Sequence, residues 1–276
     1  MSFTKFNLNG KTALITGGAG LLGIEHAFAL LESGSKIILS DTNSKILKSA
    51  EKLLLKNYSK DLIDTQIMDV TKEEDILKVL NKYKSQEDKI HILINNAALN
   101  PKIENETGSP EFSRLENFSL DQWNLEINVG LTGAFLCSKF FGTYMAQNSG
   151  GVILNIASDL SVISPDQRLY LKKKQKAEFQ NVKPITYSVI KTGLIGLTRY
   201  LSTYWAEEGV RCNSLSPGGI YNGQDEEFVS RIEKLIPMGR MANKDEYRSS
   251  IQFLCSEASS YMNGQNLIID GGRSVW

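Results

Sequence analysis

The chain has 276 residues, of which 41% are hydrophobic and 22% charged, and its 31 Lys+Arg balance its 31 Asp+Glu. This composition excludes disordered, collagen-like and repeat proteins, and the balanced charge leaves no basic surplus for binding nucleic acid. No Pro/Ser/Gly-rich linker interrupts the sequence, so we expect one domain over residues 1–276.

The sequence carries no pattern typical of export, membrane insertion or metal binding. The segment 1–10 lacks a signal-peptide pattern, and no apolar run reaches the ~18 residues that a membrane span needs. We therefore expect a cytoplasmic protein that does not bind membranes. Cys137, Cys212 and Cys255 are too widely spaced for a disulfide framework or a zinc site and are predicted to be buried apolar residues. No metal is expected.

Seven apolar runs rich in β-branched residues predict strands. Several of them are continuous rather than alternating, which indicates strands covered on both faces. Helical patterns lie between the runs, and this alternation predicts a doubly wound parallel α/β sheet of about seven strands with helices on both faces. The predicted strands are Thr12–Thr16, Lys36–Ser40, Thr65–Met68, Ile90–Asn95, Val152–Ala157, Arg211–Ser216 and Leu267–Asp270, and the predicted helices include Ile24–Glu32, Glu73–Lys84, Gln122–Gln147 and Thr192–Glu207.

A glycine-rich loop follows the first predicted strand. Strand, loop and helix occur in the order that lets backbone approach a pyrophosphate at a helix N-terminus, whereas the alternative is a plain tight turn. We therefore predict a dinucleotide site here. Its candidate residues are Gly17, Gly20, Leu21, Leu22 and Gly23.

Asp41 ends the second predicted strand, where a carboxylate accepts hydrogen bonds from an adenosine ribose and repels a 2′-phosphate. No Arg or Lys lies in the glycine loop or directly follows Asp41. We therefore predict that NAD(H) is preferred over NADP(H). The alternative is that Asp41 caps the next helix.

Tyr187 and Lys191 are four positions apart, so a helix brings the phenol and the ammonium to one face. A nearby cation favours the phenolate, which exchanges a proton with an alcohol or a carbonyl. Tyr170 and Lys174 have the same spacing but lie in a polar, basic stretch. Tyr187, which opens an apolar helix, is therefore the favoured candidate.

The ordered motifs resemble those of the short-chain dehydrogenase/reductase family, and the resemblance covers nearly the whole chain. The matching motifs are TGGAGLLG at 16–23, Asp69 after the third strand, NNAA at 95–98, Asn128 in EINVG, Ser158 in NIASD, YSVIK at 187–191, SPGGI at 216–220 and IIDGG at 268–272. The resemblance implies a Rossmann-like fold and a nicotinamide cofactor.

By that resemblance Tyr187 is the general acid/base, Lys191 tunes it and binds the nicotinamide ribose, and Ser158 polarises the substrate oxygen. Asn128 would hold a proton-relay water. The resemblance also implies a row of cofactor contacts at Asp69, Val70, Asn95, Ala97, Pro217, Gly218 and Ile220. Each polar residue also has a structural interpretation: Ser158 could cap a turn, Asn128 could bond a helix carbonyl, and Asp69 could cap the following helix.

The glycine loop has the spacing of the extended subfamily, but the short segment after Lys191 favours the compact one. The stretch from Ser158 to Tyr187 is longer than is usual in the family, which implies an insertion at about 160–184 beside the active site. A second substrate element, a lid at about 219–238, is predicted around the amphipathic helix Gln224–Leu235, with an ordinary surface helix as the alternative.

The insertion carries a surplus of positive charge, which would attract an anionic substrate, although a solvated surface loop is an equally simple interpretation. The charged residues are Arg168, Lys172, Lys173, Lys174, Lys176 and Lys183 against Asp159, Asp166 and Glu178. The insert and the GGRSVW tail also resemble reductases of bacterial surface and flagellar sugar pathways.

These features predict an NAD-dependent oxidoreductase that moves hydride between nicotinamide and a secondary alcohol or ketone, with an anionic or phosphorylated sugar as a candidate substrate. A redox-neutral sugar epimerase or dehydratase with bound NAD, and an NAD(H)-sensing protein without turnover, remain alternatives. Broad apolar faces on two predicted helices favour a homodimer or a homotetramer.

Overall fold

The computed structural model describes residues 4–84, 89–99, 112–172 and 175–276. Within these ranges seven strands form one fully parallel sheet in the order β3-β2-β1-β4-β5-β6-β7. The strands are β1 Thr12–Thr16, β2 Lys36–Asp41, β3 Ile63–Ile67, β4 Ile92–Asn95, β5 Gly151–Ile156, β6 Val210–Pro217 and β7 Asn266–Ile269.

Helices connect the strands and cover the sheet. The α-helices are α1 Leu21–Glu32, α2 Ser44–Leu54, α3 Glu73–Lys84, α4 Leu120–Ile127, α5 Gly133–Cys137, α6 Thr143–Gln147, α7 Ile185–Tyr204, α8 Glu226–Glu233 and α9 Arg248–Cys255. Two π-helical segments, Asn128–Thr132 and Ser138–Gly142, join α4, α5 and α6. Short 3₁₀ turns occupy Thr4–Phe6, Lys60–Leu62, Leu115–Asn117, Asp159–Ser161, Gln167–Tyr170, Ala177–Phe179 and Glu257–Ser259.

Strand β1 shows that the sheet is buried on both faces, because successive side chains of a strand point to opposite sides. Ala13 and Ile15 pack with side chains of α1, α2 and α9, whereas Leu14 packs on the other face with side chains of α3 and α7. Each fully buried aliphatic side chain of this size contributes about 1.5–3 kcal/mol to stability. The predicted doubly wound α/β architecture is confirmed.

The predicted strands all occur, with shifts of one or two residues at their ends. The largest difference in position is at β3, which begins at Ile63 and ends before Met68. The predicted helix 122–147 is interrupted twice by π-helical segments, which a simple 3.6-residue periodicity does not reveal.

The three cysteines are free and buried in α5, β6 and α9, as predicted. Burial raises the pKa of each of these thiols to about 12. Burial also lowers the pKa of His26 to about 3, so this side chain is neutral inside α1. None of the helices in the described ranges is long and apolar enough to cross a membrane.

Candidate active site

The glycine loop lies at the carboxyl end of β1, between the ends of its neighbours β2 and β4. The Gly18 N–H donates to Ser40 O (2.9 Å) on β2, and Asn96 Nδ2 donates to both Thr16 O and Gly17 O (3.0 Å each). Gly17 has φ +59°, a conformation that disfavours residues with a Cβ. The loop is therefore held from both neighbouring strands.

The geometry of this loop fits the pyrophosphate of a dinucleotide. A Cβ on Gly23 would lie 2.5 Å from Gly17 O, and a Cβ on Gly17 would lie 2.9 Å from Ala97 Cα, so both positions require glycine. Within the described chain no side chain caps α1 at Gly20, so its first-turn N–H groups remain available to an anion. Leu21 is exposed at the start of this turn, and Leu22 is partly buried next to it.

Asp41 is the last residue of β2 and is partly exposed. Its Oδ1 accepts from the Asn43 N–H (3.2 Å), whereas Asn43 itself caps α2 by accepting from the N–H groups of Lys45 and Ile46. The alternative that Asp41 is the helix cap is therefore wrong, since Asn43 has that role.

Asp69 and Val70 follow β3. Asp69 Oδ1 accepts from the backbone N–H (3.0 Å) and the hydroxyl (2.7 Å) of Thr71, which forms a turn ahead of α3. Burial opposes ionisation of Asp69, but these hydrogen bonds and the charge of Lys72 lower its pKa overall. Val70 is buried, and a Cβ on Gly133 would lie 2.6 Å from its Cγ2. Asp69 thus closes a turn at Thr71 and does not cap α3, which begins at Glu73, so the helix-cap alternative is wrong.

Asn95 ends β4 and is 4% exposed. Its Nδ2 donates to Ser138 Oγ (3.0 Å) and Asn155 Oδ1 (2.8 Å), so this side chain points into the interior. The next residue, Asn96, carries the side chain that contacts the glycine loop, and the Ala97 N–H donates to Thr16 Oγ1 (3.1 Å). A cofactor contact at Asn95 therefore has to use its backbone.

The SPGGI segment leaves the sheet at the end of β6. The Gly218 N–H donates to Ile269 O (2.8 Å), and its carbonyl accepts from the Tyr247 hydroxyl (3.2 Å). Ile220 forms a parallel bridge with Ala242. These contacts fix the chain from Pro217 to Ile220 at the same sheet edge as the glycine loop.

Tyr187 and Lys191 lie one turn apart near the start of α7, after Pro184 at its N-cap. Lys191 Nζ is 5.8 Å from the centroid of the Tyr187 ring and donates to Ile156 O at the end of β5 (2.7 Å). Burial, reinforced by the charge of Lys183, lowers the pKa of Lys191 to about 8. Burial raises the pKa of Tyr187, although a hydrogen bond with Ser158 opposes this change.

Ser158 follows β5 and is 4% exposed. Its hydroxyl donates to Asp159 Oδ1 (2.8 Å) and accepts from the Leu160 N–H (3.2 Å), so Ser158 does cap a turn. Asp159 Oδ2 accepts in turn from Arg273 Nη1 (2.7 Å), and this ion pair is almost fully buried. The C-terminal tail thus orients the residue that hydrogen-bonds Ser158, a contact that the sequence analysis missed.

Asn128 begins the π-helical segment after α4 and is exposed, with its Oδ1 3.5 Å from Thr132 Oγ1. Glycine allows this segment to approach α7 closely, because a Cβ on Gly130 would lie 2.8 Å from Ile190 Cγ2. Asn128 is therefore carried on an element that contacts the helix of Tyr187. Its predicted water-binding role remains a prediction.

The insertion packs against α8. The Tyr170 ring packs against Phe228 in a tilted geometry (46° between the ring planes) with ring centroids 5.5 Å apart, and Arg231 donates to the carbonyls of Leu169 (3.3 Å) and Leu171. The predicted lid helix thus exists, although its motion stays a prediction. Lys173 and Lys174, two of the basic residues singled out from the sequence, lie outside the described residues.

One lysine of the insertion reaches the centre of the site. Lys183 Nζ lies 3.5 Å from the centroid of the Tyr187 ring, closer than Lys191 does. From the sequence, Lys183 is one residue of a basic loop with no predicted position in the site. A lysine four residues before the tyrosine was an available signal, but its position depends on the path of the insertion.

Similarity to known proteins agrees with this geometry. A family model described as enoyl-(acyl carrier protein) reductase matches residues 20–274. NAD-dependent glycerol dehydrogenase of Listeria innocua is 30% identical over 275 residues, which span 98% of this chain and 96% of that protein. D-threitol dehydrogenase of Mycolicibacterium smegmatis is 28% identical over 276 residues, covering 98% and 95% of the two chains.

Solved structures share the fold over the whole length. Gluconate 5-dehydrogenase from Burkholderia cenocepacia, crystallised with NADP and tartrate, is 26% identical with a TM-score of 0.82, covering 99% of this chain and 98% of its own. A short-chain dehydrogenase from Leptospira borgpetersenii with bound NAD⁺ is 28% identical with a TM-score of 0.81, covering 100% and 97%.

Fold, glycine loop and relatives together define an oxidoreductase that uses a nicotinamide dinucleotide. The chain belongs to the short-chain dehydrogenase/reductase family, as the sequence motifs predict. Its reaction is hydride transfer between the nicotinamide and a secondary alcohol or ketone of a small molecule.

Proposed function

We propose that this chain is an NAD-dependent dehydrogenase of a polyol or sugar, with Tyr187 as its general acid/base. The observation that carries the proposal is the placement of Tyr187 near the start of α7 with Lys191 Nζ 5.8 Å from its ring centroid, where Lys191 reaches Ile156 O at the sheet edge that also bears the glycine loop. The activities named for the relatives, on glycerol, D-threitol and gluconate, support a polyol or sugar substrate.

In the oxidation direction, Tyr187 Oη takes the proton of the substrate hydroxyl, and in reduction it returns a proton to the carbonyl oxygen. Ser158 donates a hydrogen bond to the same oxygen, in place of Asp159, and so favours the charge that develops there. The ammonium of Lys191 stabilises the phenolate of Tyr187, and Asn128 holds a water that passes the proton to solvent. A nicotinamide cofactor, when bound, would supply the hydride-transfer chemistry.

The cofactor residues divide by the part of the dinucleotide that they would hold. The glycine loop and the N-terminus of α1 bind the pyrophosphate, and Asp41 binds the adenosine ribose and disfavours a 2′-phosphate. Lys191 binds the nicotinamide ribose. The adenine and nicotinamide ends would be lined by Asp69, Val70, Asn95, Ala97, Pro217, Gly218 and Ile220.

The test follows NADH absorbance with NAD and a panel of polyols, sugars and sugar acids, using wild type, Tyr187→Phe and Tyr170→Phe. We expect Tyr187→Phe to lose at least about 100-fold in kcat with each accepted substrate, because a positioned acid/base contributes that much. Tyr170→Phe keeps kcat within a few-fold. Equal losses in both variants, or full activity of Tyr187→Phe, would contradict the assignment.

The proposal includes a homodimer or homotetramer in the cytoplasm. Large apolar side chains stand exposed on two neighbouring helices, Leu120 and Leu125 on α4 and Tyr200 and Tyr204 on α7, and such patches are typical of subunit contacts. The three free thiols are typical of a reducing compartment. Light scattering on the purified protein tests the assembly, and a monomeric mass at micromolar concentration would contradict it.

A further inference from the structure

We infer that Lys183 binds the carboxylate of an acidic substrate and so directs this enzyme toward hydroxy acids over neutral polyols. The inference deepens the proposed function and rests on Tyr187 being the group that exchanges a proton with the hydroxyl of the reacting carbinol. The following contacts and charges support it.

Lys183 is held in place by contacts of its own segment. Its backbone N–H donates to Gln167 Oε1 (2.7 Å), and the preceding Val182 N–H donates to Ser113 Oγ (3.1 Å). Lys183 Nζ lies over the face of the Tyr187 ring. A carboxylate at this ammonium would therefore be only a few bonds from a carbinol whose hydroxyl exchanges its proton with Tyr187.

The carboxylates nearest to Lys183 are already engaged by other groups. Asp159 accepts from Arg273 and Ser158, and Glu126 accepts from Gln122 Nε2 (2.6 Å) and the Thr186 hydroxyl. Among the described residues, no carboxylate forms an ion pair with Lys183, although the side chain is partly buried. A desolvated ammonium without a counterion is unfavourable, so a bound anion would stabilise it.

The charges around Tyr187 leave a surplus of one positive charge in the described part of the site. Lys183, Lys191 and Arg273 are cationic, whereas Asp159 and Glu126 are anionic. One substrate carboxylate would neutralise this surplus. The phenolate of Tyr187 is the competing anion, and it forms with neutral and acidic substrates alike.

Lys183 also lines a cavity of about 400 Å³ next to α7. The other charged residues that line it, Arg114 and Glu116, form an ion pair with each other (2.5 Å), so the surplus charge comes from Lys183. Tyr187 is not among the residues that line this cavity, so the cavity shows open space beside Lys183 and does not fix the position of the reacting carbon.

The test compares aldonates with the alditols of the same chain length: gluconate with glucitol, threonate with threitol, and glycerate with glycerol. Wild type should have the higher kcat/KM for the acid in at least one pair. In Lys183→Met we expect kcat/KM for that acid to fall about 10- to 100-fold, which is the contribution of a charge-assisted hydrogen bond. The kcat/KM for its alditol should change less than about 3-fold. Lys183→Arg should keep most of the acid activity.

Lys172→Met is the matched control, because Lys172 is an exposed lysine of the same insertion. We expect this variant to leave kcat/KM unchanged for both the acid and the alditol. A preference of wild type for the alditol in every pair would overturn the inference. Equal losses of acid and alditol activity in Lys183→Met would also overturn it, because they would show that Lys183 stabilises the phenolate of Tyr187 and does not bind the substrate carboxylate.

A binding measurement separates this inference from the proposed function. Titration calorimetry with gluconate, threonate and glycerate in turn, on the protein with NADH present, should give for at least one of them a Kd that rises about 10- to 100-fold in Lys183→Met but not in Tyr187→Phe. If this result is found without turnover of any substrate, the proposed function fails, and only the carboxylate-binding role of Lys183 stands. An unchanged Kd in Lys183→Met overturns the inference alone.

The pH dependence gives a second readout. Burial lowers the pKa of Lys183 to about 8, with Asp159 and Glu126 opposing this change and Arg273 adding to it. The lysine therefore loses its charge above that pH, and the ratio of acid to alditol activity should fall there. Lys191 titrates in the same range but affects both substrates, so the ratio isolates Lys183. In Lys183→Arg the ratio should stay flat.

Discussion

The cofactor side and the substrate side of this site are built in different ways. On the cofactor side, backbone groups and glycines that are close in sequence or on neighbouring strands form the contacts, as between Gly18 and Ser40. On the substrate side, charged side chains join distant segments, as Arg273 joins the tail to Asp159. The cofactor side can therefore be predicted from local sequence order, whereas the substrate side depends on how segments that are distant in sequence pack together.

The largest effect should come from Arg273→Met on the substrate side. Loss of the guanidinium leaves the Asp159 carboxylate buried without its partner, and we expect the free energy of unfolding to fall by about 3–5 kcal/mol. Urea denaturation measures this change. The double variant Asp159→Asn/Arg273→Met should recover most of the loss, and a single-variant loss below about 1 kcal/mol would mean that the pair is solvated in solution.

Gly23→Ala tests the cofactor side. Its Cβ would meet Gly17 O at 2.5 Å and Gly18 Cα at 2.7 Å, both backbone atoms that cannot move aside. We expect a loss of about 1–3 kcal/mol in stability together with weaker NADH binding. Gly196→Ala in α7 is the control, because its Cβ meets nothing within 4 Å, and helix propensity should make it stabilising by about 0.5–1 kcal/mol. Unchanged NADH affinity in Gly23→Ala would contradict the assigned loop contact.

Asp41→Ser addresses cofactor choice. Without the carboxylate, repulsion of a 2′-phosphate disappears, and we expect the ratio of kcat/KM for NAD over NADP to fall about 10-fold, or ~1.4 kcal/mol. Steady-state kinetics with both cofactors measure this ratio. Asp61→Ser, at an exposed acid just before β3, should leave it unchanged. A wild type that already prefers NADP would show that Asp41 does not select the cofactor.

The smallest effect concerns the predicted lid. Arg231→Met removes hydrogen bonds from α8 to the insertion, worth about 0.5–1.5 kcal/mol together, so proteolysis at Lys234 should become faster. The rate should fall in wild type when NADH is added. Arg199→Met, at an exposed arginine of α7, serves as the control. A rate of cleavage at Lys234 that does not change when NADH is added would favour an ordinary surface helix.

Much of the fold was predictable because its signals are local. Continuous apolar runs such as TALIT can only be buried on both faces, and a helix places Tyr187 and Lys191 on one side whatever surrounds them. The π-helical segments near Asn128 were not predictable from periodicity. They depend on close packing, such as that of Gly130 against Ile190.

The site was predictable in its residue types but less so in its contacts. At the end of β4, sequence order does not settle whether Asn95 or Asn96 turns toward the glycine loop, and the structure has Asn96 there. The position of Lys183 over Tyr187 follows from the path of the insertion. The pKa of Tyr187 is raised by burial, an effect that the spacing to Lys191 does not reveal.

The three buried cysteines have a practical consequence for following this protein in solution. Thiol reagents attack the thiolate, and because all three cysteines are buried with pKa values of about 12, the folded chain presents almost no thiolate at neutral pH. Labelling must then wait until a segment opens. The cysteines lie in α5, β6 and α9. The labelling rate of each one therefore reports how often its own part of the molecule opens, without any engineered probe.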